Sequence, residues 1–297
     1  MILLYHILNL LCLGCPIYIL ALVLTNLETL DAISEVLKRD LSQLLLEYRV
    51  NEPDNFDGII KRIEDKFDVG DIVSLKQELP DLKALLDTTA NNYIRRNISQ
   101  FILLIKSSLS EVAGDLTKAY NLLISSLSQG IPDFDISNYN KFSYSNTEPR
   151  ILLNIAMILN KTEHKNKSLE IMKLCFENID IFSSLYPKIS FNLSYQYHRL
   201  GIHENAFKYA NYGITYCETT GNFTGINHLY FRKGIAAFKL KHNDYKEILL
   251  KSIHLSEVLG QDNIKDLIIR KCILLNSINL INYIKERTLF FSKSSLY

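Results

Sequence analysis

The sequence lacks tryptophan and has few of the residues that form tight turns. Only 11 glycines and 6 prolines occur among 297 residues. All-β folds use many short strands joined by Gly- and Pro-rich turns, so this scarcity favours an all-α protein. The hydrophobic fraction of 47% with 22% charged residues is that of a globular chain and excludes a disordered one.

An excess of charge of either sign is also absent. The 33 Lys and Arg residues face 32 Asp and Glu residues, which gives a formal net charge of +1. Proteins that bind nucleic acid carry a basic patch or field, and this chain has no global one. The charge balance disfavours a complete DNA-binding protein, but it is compatible with a sensor domain to which a small DNA-reading domain is attached.

Motifs for catalysis and for metal binding are missing as well. Of the five cysteines, Cys12 and Cys15 form a C-x-x-C, without the βαβ pattern of a redox site or a second ligand pair for zinc. The other three fall at helical positions that are typical of buried small residues in a reducing cytosol. The histidines have no metal-ligand spacing, and no phosphate loop or nucleophile elbow occurs. We therefore predict no enzyme activity, no metal and no cofactor.

A long apolar run is present at the N-terminus. Residues 2–24 contain no Asp, Glu, Lys or Arg, so His6 is their only side chain that ionises near neutral pH, and they are long enough to span a bilayer. The run has neither the basic region nor the cleavage site of a signal peptide, and Pro16 would kink a helix there. Three interpretations remain open: a membrane anchor through residues 1–24, a buried structural helix, or a non-native lead-in produced by truncation or frameshift of an ancestral domain.

Residues 27–50 predict two short helices. Apolar residues from Leu27 to Leu37 recur at helical spacing, and Asp40 is a suitable N-cap for the second helix. The phrase LETLDAISEVLKRDLSQLLL in this segment resembles the last two helices of the Cro-like (XRE) helix-turn-helix domain. In that family the recognition helix comes before this phrase, whereas residues 1–26 here contain no Arg, Lys or Gln to contact bases or phosphates. The resemblance implies a helix-turn-helix domain that is only partly present.

From residue 51 to about residue 290, apolar residues recur with the helical period. Short polar joints separate the segments, as antiparallel neighbouring helices require. The predicted helices are 55–67, 71–86, 91–109, 112–128, 149–160, 164–180, 187–200, 203–219, 224–240, 243–259 and 263–285. The longest break, residues 130–147, is rich in Pro, Asp, Asn and Ser and predicts a loop.

The later helices are repetitive. Leu200-Gly201 followed by Ala206 resembles the tetratricopeptide phrase, and Leu240 with Asp244 repeats the joint about forty residues on. The successive repeats would be the helix pairs 149–180, 187–219 and 224–259. Such pairs stack into a right-handed helical-repeat solenoid with a concave inner surface, and a plain helical bundle is the alternative.

Residues 189–240 carry a sharper resemblance. Gly-Ile-Thr-Tyr-Cys at 213–217 and Leu-Tyr-Phe-Arg-Lys-Gly-Ile-Ala at 229–236 are typical of Rgg/MutR/PlcR regulators. Those proteins join a Cro-like reader to a tetratricopeptide-like domain that binds a short signalling peptide. The resemblance implies a cytoplasmic, dimeric quorum-sensing regulator. Its domains here would be an apolar segment (1–26), a helix-turn-helix remnant (27–50) and a regulatory domain (51–290).

Two asparagines are candidates for peptide contacts. Asn154 and Asn192 lie inside otherwise apolar first helices of successive repeats, where Asn is unfavourable unless it has a role. A carboxamide both donates and accepts hydrogen bonds, so it can pair with a peptide backbone. In the resembled family, Asn at such positions does so. The alternative is an Asn bonded to a neighbouring turn of its own helix.

Three further residues belong to the predicted peptide site. Arg150 lies one turn before Asn154, Tyr195 lies three residues after Asn192, and Arg232 lies in the first helix of the next repeat. They are suited to a peptide carboxylate or aromatic side chain, although each also suits a structural ion pair or a core tyrosine.

We predict a peptide-responsive transcription regulator whose DNA reading is impaired. The alternative is a protein-interaction scaffold without a signalling peptide, anchored in a membrane if residues 1–24 span one. Asn, Arg and Tyr lining the groove would favour the first function, and an apolar or acidic lining would favour the second.

Overall fold

The computed structural model describes residue 34 and residues 55–89, 92–144, 147–180 and 183–274. The chain divides into two compact units, residues 1–62 and 63–297. The first unit is described only at Ser34, which is helical, and at residues 55–62, which begin a helix. The predicted apolar segment and almost all of the predicted helix-turn-helix remnant lie outside the described residues.

The described part of the chain is all-α and contains no β-strand. Its α-helices are α1 (Asn55–Val69), α2 (Leu79–Thr88), α3 (Asn92–Val112), α4 (Leu116–Gly130), α5 (Glu148–Lys161), α6 (Lys165–Asn178), α7 (Tyr186–Arg199), α8 (His203–Thr220), α9 (Ile226–Lys239), α10 (Tyr245–Val258) and α11 (Asp262–Leu274). Two 3₁₀ helices, Ser74–Glu78 and Ile136–Lys141, lie between them. None of the described helices is long and apolar enough to span a membrane.

Helices α3 to α10 form four antiparallel pairs, α3–α4, α5–α6, α7–α8 and α9–α10. The second helix of each pair packs on the first helix of the next, so each pair completes the core of its neighbour. First helices α7 and α9 also contact each other directly. The predicted tetratricopeptide-like helical repeat is thus confirmed.

Each pair turns through one residue in the left-handed conformation. Gly114, Glu163, Gly201 and Lys241 occupy these positions with φ values of 86°, 68°, 77° and 60°. The next amide then bonds to the carbonyl five residues earlier, as Ile202 N does to Tyr197 O at 3.0 Å. This hydrogen bond is that of a Schellman motif, which ends one helix and releases the chain into the next.

Small residues let the two helices of a pair approach closely. The hydroxyl of Ser194 in α7 donates to the carbonyl of Ala206 in α8 at 2.7 Å, across 12 residues. The same bond joins Ser107 in α3 to the Ala119 carbonyl in α4 at 2.8 Å, also across 12 residues. In the α5–α6 pair the bond runs the other way, from the Ser168 hydroxyl in α6 to the Ala156 carbonyl in α5 at 2.6 Å. These buried bonds satisfy the hydroxyls and fix the register of the two helices.

Two segments differ from the helices and loop that the sequence predicted. The predicted helix 71–86 is a 3₁₀ turn followed by α2, which begins one residue before Pro80. The predicted loop 130–147 contains the 3₁₀ helix Ile136–Lys141, whose N-cap Asp135 accepts a hydrogen bond from the Ser137 amide at 2.9 Å.

Candidate functional site

Four of the five predicted residues belong to two rows that run across the first helices, and the fifth, Tyr195, lies three residues after a member of the second row. Arg150, Lys188 and His228 stand at intervals of 38 and 40 residues, and we call them the first row. Asn154, Asn192 and Arg232 follow each of them by four residues and form the second row. Residues four apart lie on one face of a helix, so both rows share a face of α5, α7 and α9. We call this surface the first-helix face.

The end of α1 packs against the first row. Arg150 is 2% exposed and its Nη1 lies 3.0 Å from Asp68 Oδ1, while its guanidinium stacks 5.5 Å from the Phe67 ring centroid. Lys188 Nζ donates to the Phe67 carbonyl at 3.0 Å. A lysine at this carbonyl complements the negative end of the α1 dipole. The buried ion pair favours the structural interpretation of Arg150.

The two asparagines have the same geometry. Asn154 Nδ2 donates to the Arg150 carbonyl at 3.0 Å, and Asn192 Nδ2 donates to the Lys188 carbonyl at 2.8 Å. Both side chains are partly buried. An amide group has a second N–H and a carbonyl oxygen, and neither is engaged by another described residue. The bond to the preceding turn therefore holds each carboxamide in place and leaves its second N–H and its carbonyl oxygen for a ligand.

Arg232 and Tyr195 meet where α7 and α9 pack together. The guanidinium lies 4.4 Å from the Tyr195 ring centroid and 4.9 Å from that of Phe191. Its Nε is buried and has no hydrogen-bond partner among the described residues. Burial lowers the pKa of Arg232 to about 10, although the group stays charged at neutral pH.

A cavity of about 200 Å³ opens beside the two rows. Lys188, Phe191 and His228 line one part of it, and Asp68 and Gly225 line another. A cavity of about 150 Å³ holds a benzene molecule, so this one can take a single aromatic or branched side chain.

Burial shifts the titration of the charged groups around the cavity. It lowers the pKa of Lys188 to about 8, with Arg150 acting in the same direction. The pKa of His228 is lowered by burial and then by the charge of Arg232, so its imidazole is neutral at pH 7. Burial raises the pKa of Glu64. At pH 7 the face therefore presents two cations, Lys188 and Arg232, and a neutral imidazole.

The sequence did not single out Lys188, Phe191, His228 or Asp68. The interval between Arg150 and Lys188 equals the interval between Asn154 and Asn192, and extending it would have found the first row. Asp68 gave no such signal, because its contact with Arg150 spans 82 residues. Within the described residues, no group of His, Cys, Asp and Glu side chains is suited to hold a metal ion.

Solved structures share this fold. PlcR of Bacillus thuringiensis, in complex with the peptide PapR7 and DNA, superposes with a TM-score of 0.60 at 13% identity, covering 82% of this chain and 84% of PlcR. The chain is similar to PlcR in fold. Apo PlcR gives a TM-score of 0.59 at 12% identity, covering 77% of this chain and 81% of that one.

A further similar structure is that of a signal-transduction ATPase with a tetratricopeptide repeat sensor from Pyrococcus horikoshii. It gives a TM-score of 0.51 at 13% identity, over 99% of this chain and 46% of that protein. No protein-family profile and no curated protein matches the sequence. At these identities the likeness to PlcR and to the sensor shows the fold alone.

Proposed function

We propose that this protein is a peptide-responsive regulator of the Rgg/MutR/PlcR type, which binds a short peptide on the first-helix face. The observation that carries the proposal is the repeated carboxamide of Asn154 and Asn192. Each is fixed by one bond to its own helix and keeps an acceptor and a donor for a peptide backbone. Because backbone groups are the same in every peptide, such a row binds an extended chain irrespective of its sequence.

The cavity supplies the side-chain specificity that a backbone-binding row lacks. Phe191 and His228 offer apolar and aromatic surface, and the volume of about 200 Å³ admits one large side chain of the peptide. Tyr195 and Arg232 lie one turn further along the same helices and extend this contact surface. Arg150 serves the site by fixing the end of α1.

The rest of the proposal rests on the fold and on the sequence resemblance. The PlcR structure contains both a peptide and DNA, and we infer for this chain a homodimer in which peptide binding repositions paired DNA-reading domains. Residues 1–26 contain no Lys, Arg or Gln, so DNA reading is impaired in this chain as it stands. The same resemblance leads us to propose that the protein acts in the cytoplasm.

A peptide-independent scaffold is the second candidate. That function would favour an apolar or acidic lining on the first-helix face. Arg150 is buried against Asp68, but Lys188, Arg232 and the two asparagines give the face a basic and amide lining, and this lining favours peptide binding.

Affinity selection tests the proposal. The full chain is incubated with a library of random heptapeptides, and the retained peptides are identified by mass spectrometry and titrated. Replacing both Asn154 and Asn192 by Ala should weaken their binding by about 5- to 150-fold, because two hydrogen bonds are worth about 1–3 kcal/mol. The melting temperature should change little.

Asn178→Ala is the matched control. Asn178 donates the same bond to the carbonyl four residues earlier, at 2.8 Å, but lies exposed at the end of second helix α6. Its loss should leave peptide binding unchanged. A sharp fall in the melting temperature of the double variant would assign the asparagines to the fold, and unchanged binding in a stable double variant would place the site elsewhere.

A further inference from the structure

Arg232 is a largely buried cation for which the described residues supply no anion. It belongs to none of their ion pairs, and its Nε has no acceptor. Burying a guanidinium without an acceptor is costly because the charge loses its hydration. Arg150 in α5 is instead paired with Asp68 at 3.0 Å.

The aromatic side chains hold the Arg232 guanidinium without neutralising it. Tyr195 and Phe191 lie at 4.4 and 4.9 Å from it, centroid to Cζ. Stacking on ring faces uses the flat sides of the guanidinium and leaves its N–H edge for a planar acceptor. A carboxylate matches that edge with two parallel hydrogen bonds.

The neighbouring cavity adds a second positive group. Phe191 lines the cavity and also stacks on Arg232, so the guanidinium lies one ring away from the cavity and a peptide whose side chain fills the cavity passes close to it. Lys188 lines the same cavity and donates one hydrogen bond, to the Phe67 carbonyl. An ammonium has three donors, so two remain for a ligand. Gly225 at the start of α9 also lines the cavity and gives this helix no side-chain cap.

We infer that the first-helix face carries a carboxylate subsite, in which Arg232 pairs with a carboxylate of the bound peptide and Lys188 supplies a second positive charge. The inference rests on the proposed function and specifies its ligand as an acidic peptide or one with a free C-terminus. Basic peptides are disfavoured, because Lys188 and Arg232 repel them.

Three heptapeptide pools test the subsite on the full chain. The first has neutral side chains and an amidated C-terminus, the second has the same side chains and a free C-terminal carboxylate, and the third is amidated with one Glu per peptide. Retention is measured by mass spectrometry. The second or the third pool should be enriched about tenfold over the first, since a hydrogen-bonded charge pair is worth at least one decade in affinity. The pool that is enriched identifies the source of the carboxylate.

Variants of Arg232 separate the subsite from peptide binding in general. Arg232→Gln should abolish the preference for carboxylate pools, and Arg232→Lys should retain part of it. Arg270→Gln, at an exposed arginine on α11, should have no effect. Should Arg232→Gln not fold, Lys188→Gln provides the second variant and should reduce the same preference.

The outcomes are distinguishable. Equal retention of all three pools, or a carboxylate preference that survives in a folded Arg232→Gln, would overturn the subsite and leave peptide binding standing. Failure of every pool and of the random library to bind would overturn the proposed function, and the subsite with it.

Discussion

Two of the left-handed turn residues carry side chains that their backbone conformation disfavours. Lys241 and Glu163 have φ values of 60° and 68°, whereas the equivalent positions in two other pairs are Gly114 and Gly201. A residue other than glycine costs about 1–2 kcal/mol in the left-handed conformation. Replacing it by glycine recovers only part of this free energy, because glycine loses more conformational entropy on folding.

We therefore expect Lys241→Gly to raise the free energy of unfolding by about 0.5–1 kcal/mol. Urea denaturation monitored by circular dichroism measures the change. Gly201→Ala is the converse control and should lower it by about 1 kcal/mol. A Lys241→Gly variant less stable than the parent would show that the lysine side chain makes a compensating contact.

Lys188 should make stability depend on pH in the alkaline range. Its pKa is lowered from 10.5 to about 8 in the folded protein. Between these values the unfolded chain binds more protons than the folded one, so the contribution of Lys188 to stability rises with pH. Relative to Lys188→Met, the wild-type free energy of unfolding should therefore increase from about pH 7 to about pH 10.

Urea unfolding of both proteins across this range tests the sign. Taking the difference cancels the cysteines and tyrosines, which titrate in both chains. Lys239→Met, at an exposed lysine of α9, is the control for removal of a lysine charge. A constant difference between wild type and Lys188→Met would mean that Lys188 stays hydrated.

At the residue scale, sequence spacing identified residues at equivalent positions of successive repeats, but it did not identify the residues that contact them. The intervals in sequence brought out Asn154, Asn192 and Arg232, and the structure places all three on first helices. The bond of each asparagine to its own helix was the stated alternative, and it coexists with a free acceptor. The contact of Lys188 with Phe67 spans 121 residues, and no local pattern encodes such a pairing.

At the scale of helices, two glycines mark the closest packing. A Cβ at Gly213 in α8 would lie 2.7 Å from Leu229 Cδ2 and 3.0 Å from Ser190 Cβ. Since Leu229 belongs to α9 and Ser190 to α7, this glycine is where three helices meet. Gly234 in α9 is similar, with Leu249 Cδ2 at 2.6 Å from the added atom.

Gly213→Ala should lower the free energy of unfolding by about 1–2 kcal/mol, because overpacking costs about 1–3 kcal/mol and the gain in helix propensity returns part of it. Gly58→Ala in α1 is the control, since no described atom lies within 4 Å of its added Cβ. It should stabilise α1 by up to about 1 kcal/mol. Thermal denaturation compares the two, and a neutral Gly213→Ala would show that Leu229 can move aside.

Helices with a continuous apolar period were predictable, and short irregular ones were not. The joint at Leu200-Gly201 and its repeat at Leu240 fell where the structure turns, because a chain that ends a helix in the left-handed conformation uses recognisable residues. The 3₁₀ helix Ile136–Lys141 was missed. It depends on the Asp135 cap and on Tyr139, whose hydroxyl donates to Glu170 of α6 at 3.1 Å, and such a tertiary contact leaves no periodicity.

At the scale of the whole molecule, the charge balance bears on DNA binding. The formal net charge is +1, and residues 1–26 contain no Lys or Arg. We expect the chain to bind duplex DNA no more tightly than a neutral globular protein does, with little dependence on salt. Fluorescence anisotropy with random duplexes at two salt concentrations measures this, and sequence-specific binding would contradict it.

A buried ion pair joins the end of α1 to the first-helix face, beside the hydrogen bond from Lys188 to the Phe67 carbonyl. Asp68 and Arg150 are 19% and 3% exposed at their side chains. Removing one partner leaves the other as an unpaired buried charge, which lowers stability. The loss of stability is largest when Arg150 is the group left, because its Nε and Nη2 already lack acceptors among the described residues. Asp68→Asn should therefore lower the free energy of unfolding by about 2–4 kcal/mol, and Arg150→Met by less.

A double-mutant cycle on this pair also links the fold to the proposed site. The combined variant should be less destabilised than the sum of the two, with a coupling of about 1–3 kcal/mol. Glu111→Gln is the control, because its bond to the exposed Lys161 at 2.7 Å lies at the surface and is worth less than about 1 kcal/mol. Asp68→Asn should in addition increase the retention of carboxylate peptides, since it removes the carboxylate that now occupies Arg150. A coupling near zero would show that the pair does not hold α1. Unchanged retention in a folded Asp68→Asn would show that α1 and the peptide use separate cations, with Arg232 alone serving the ligand.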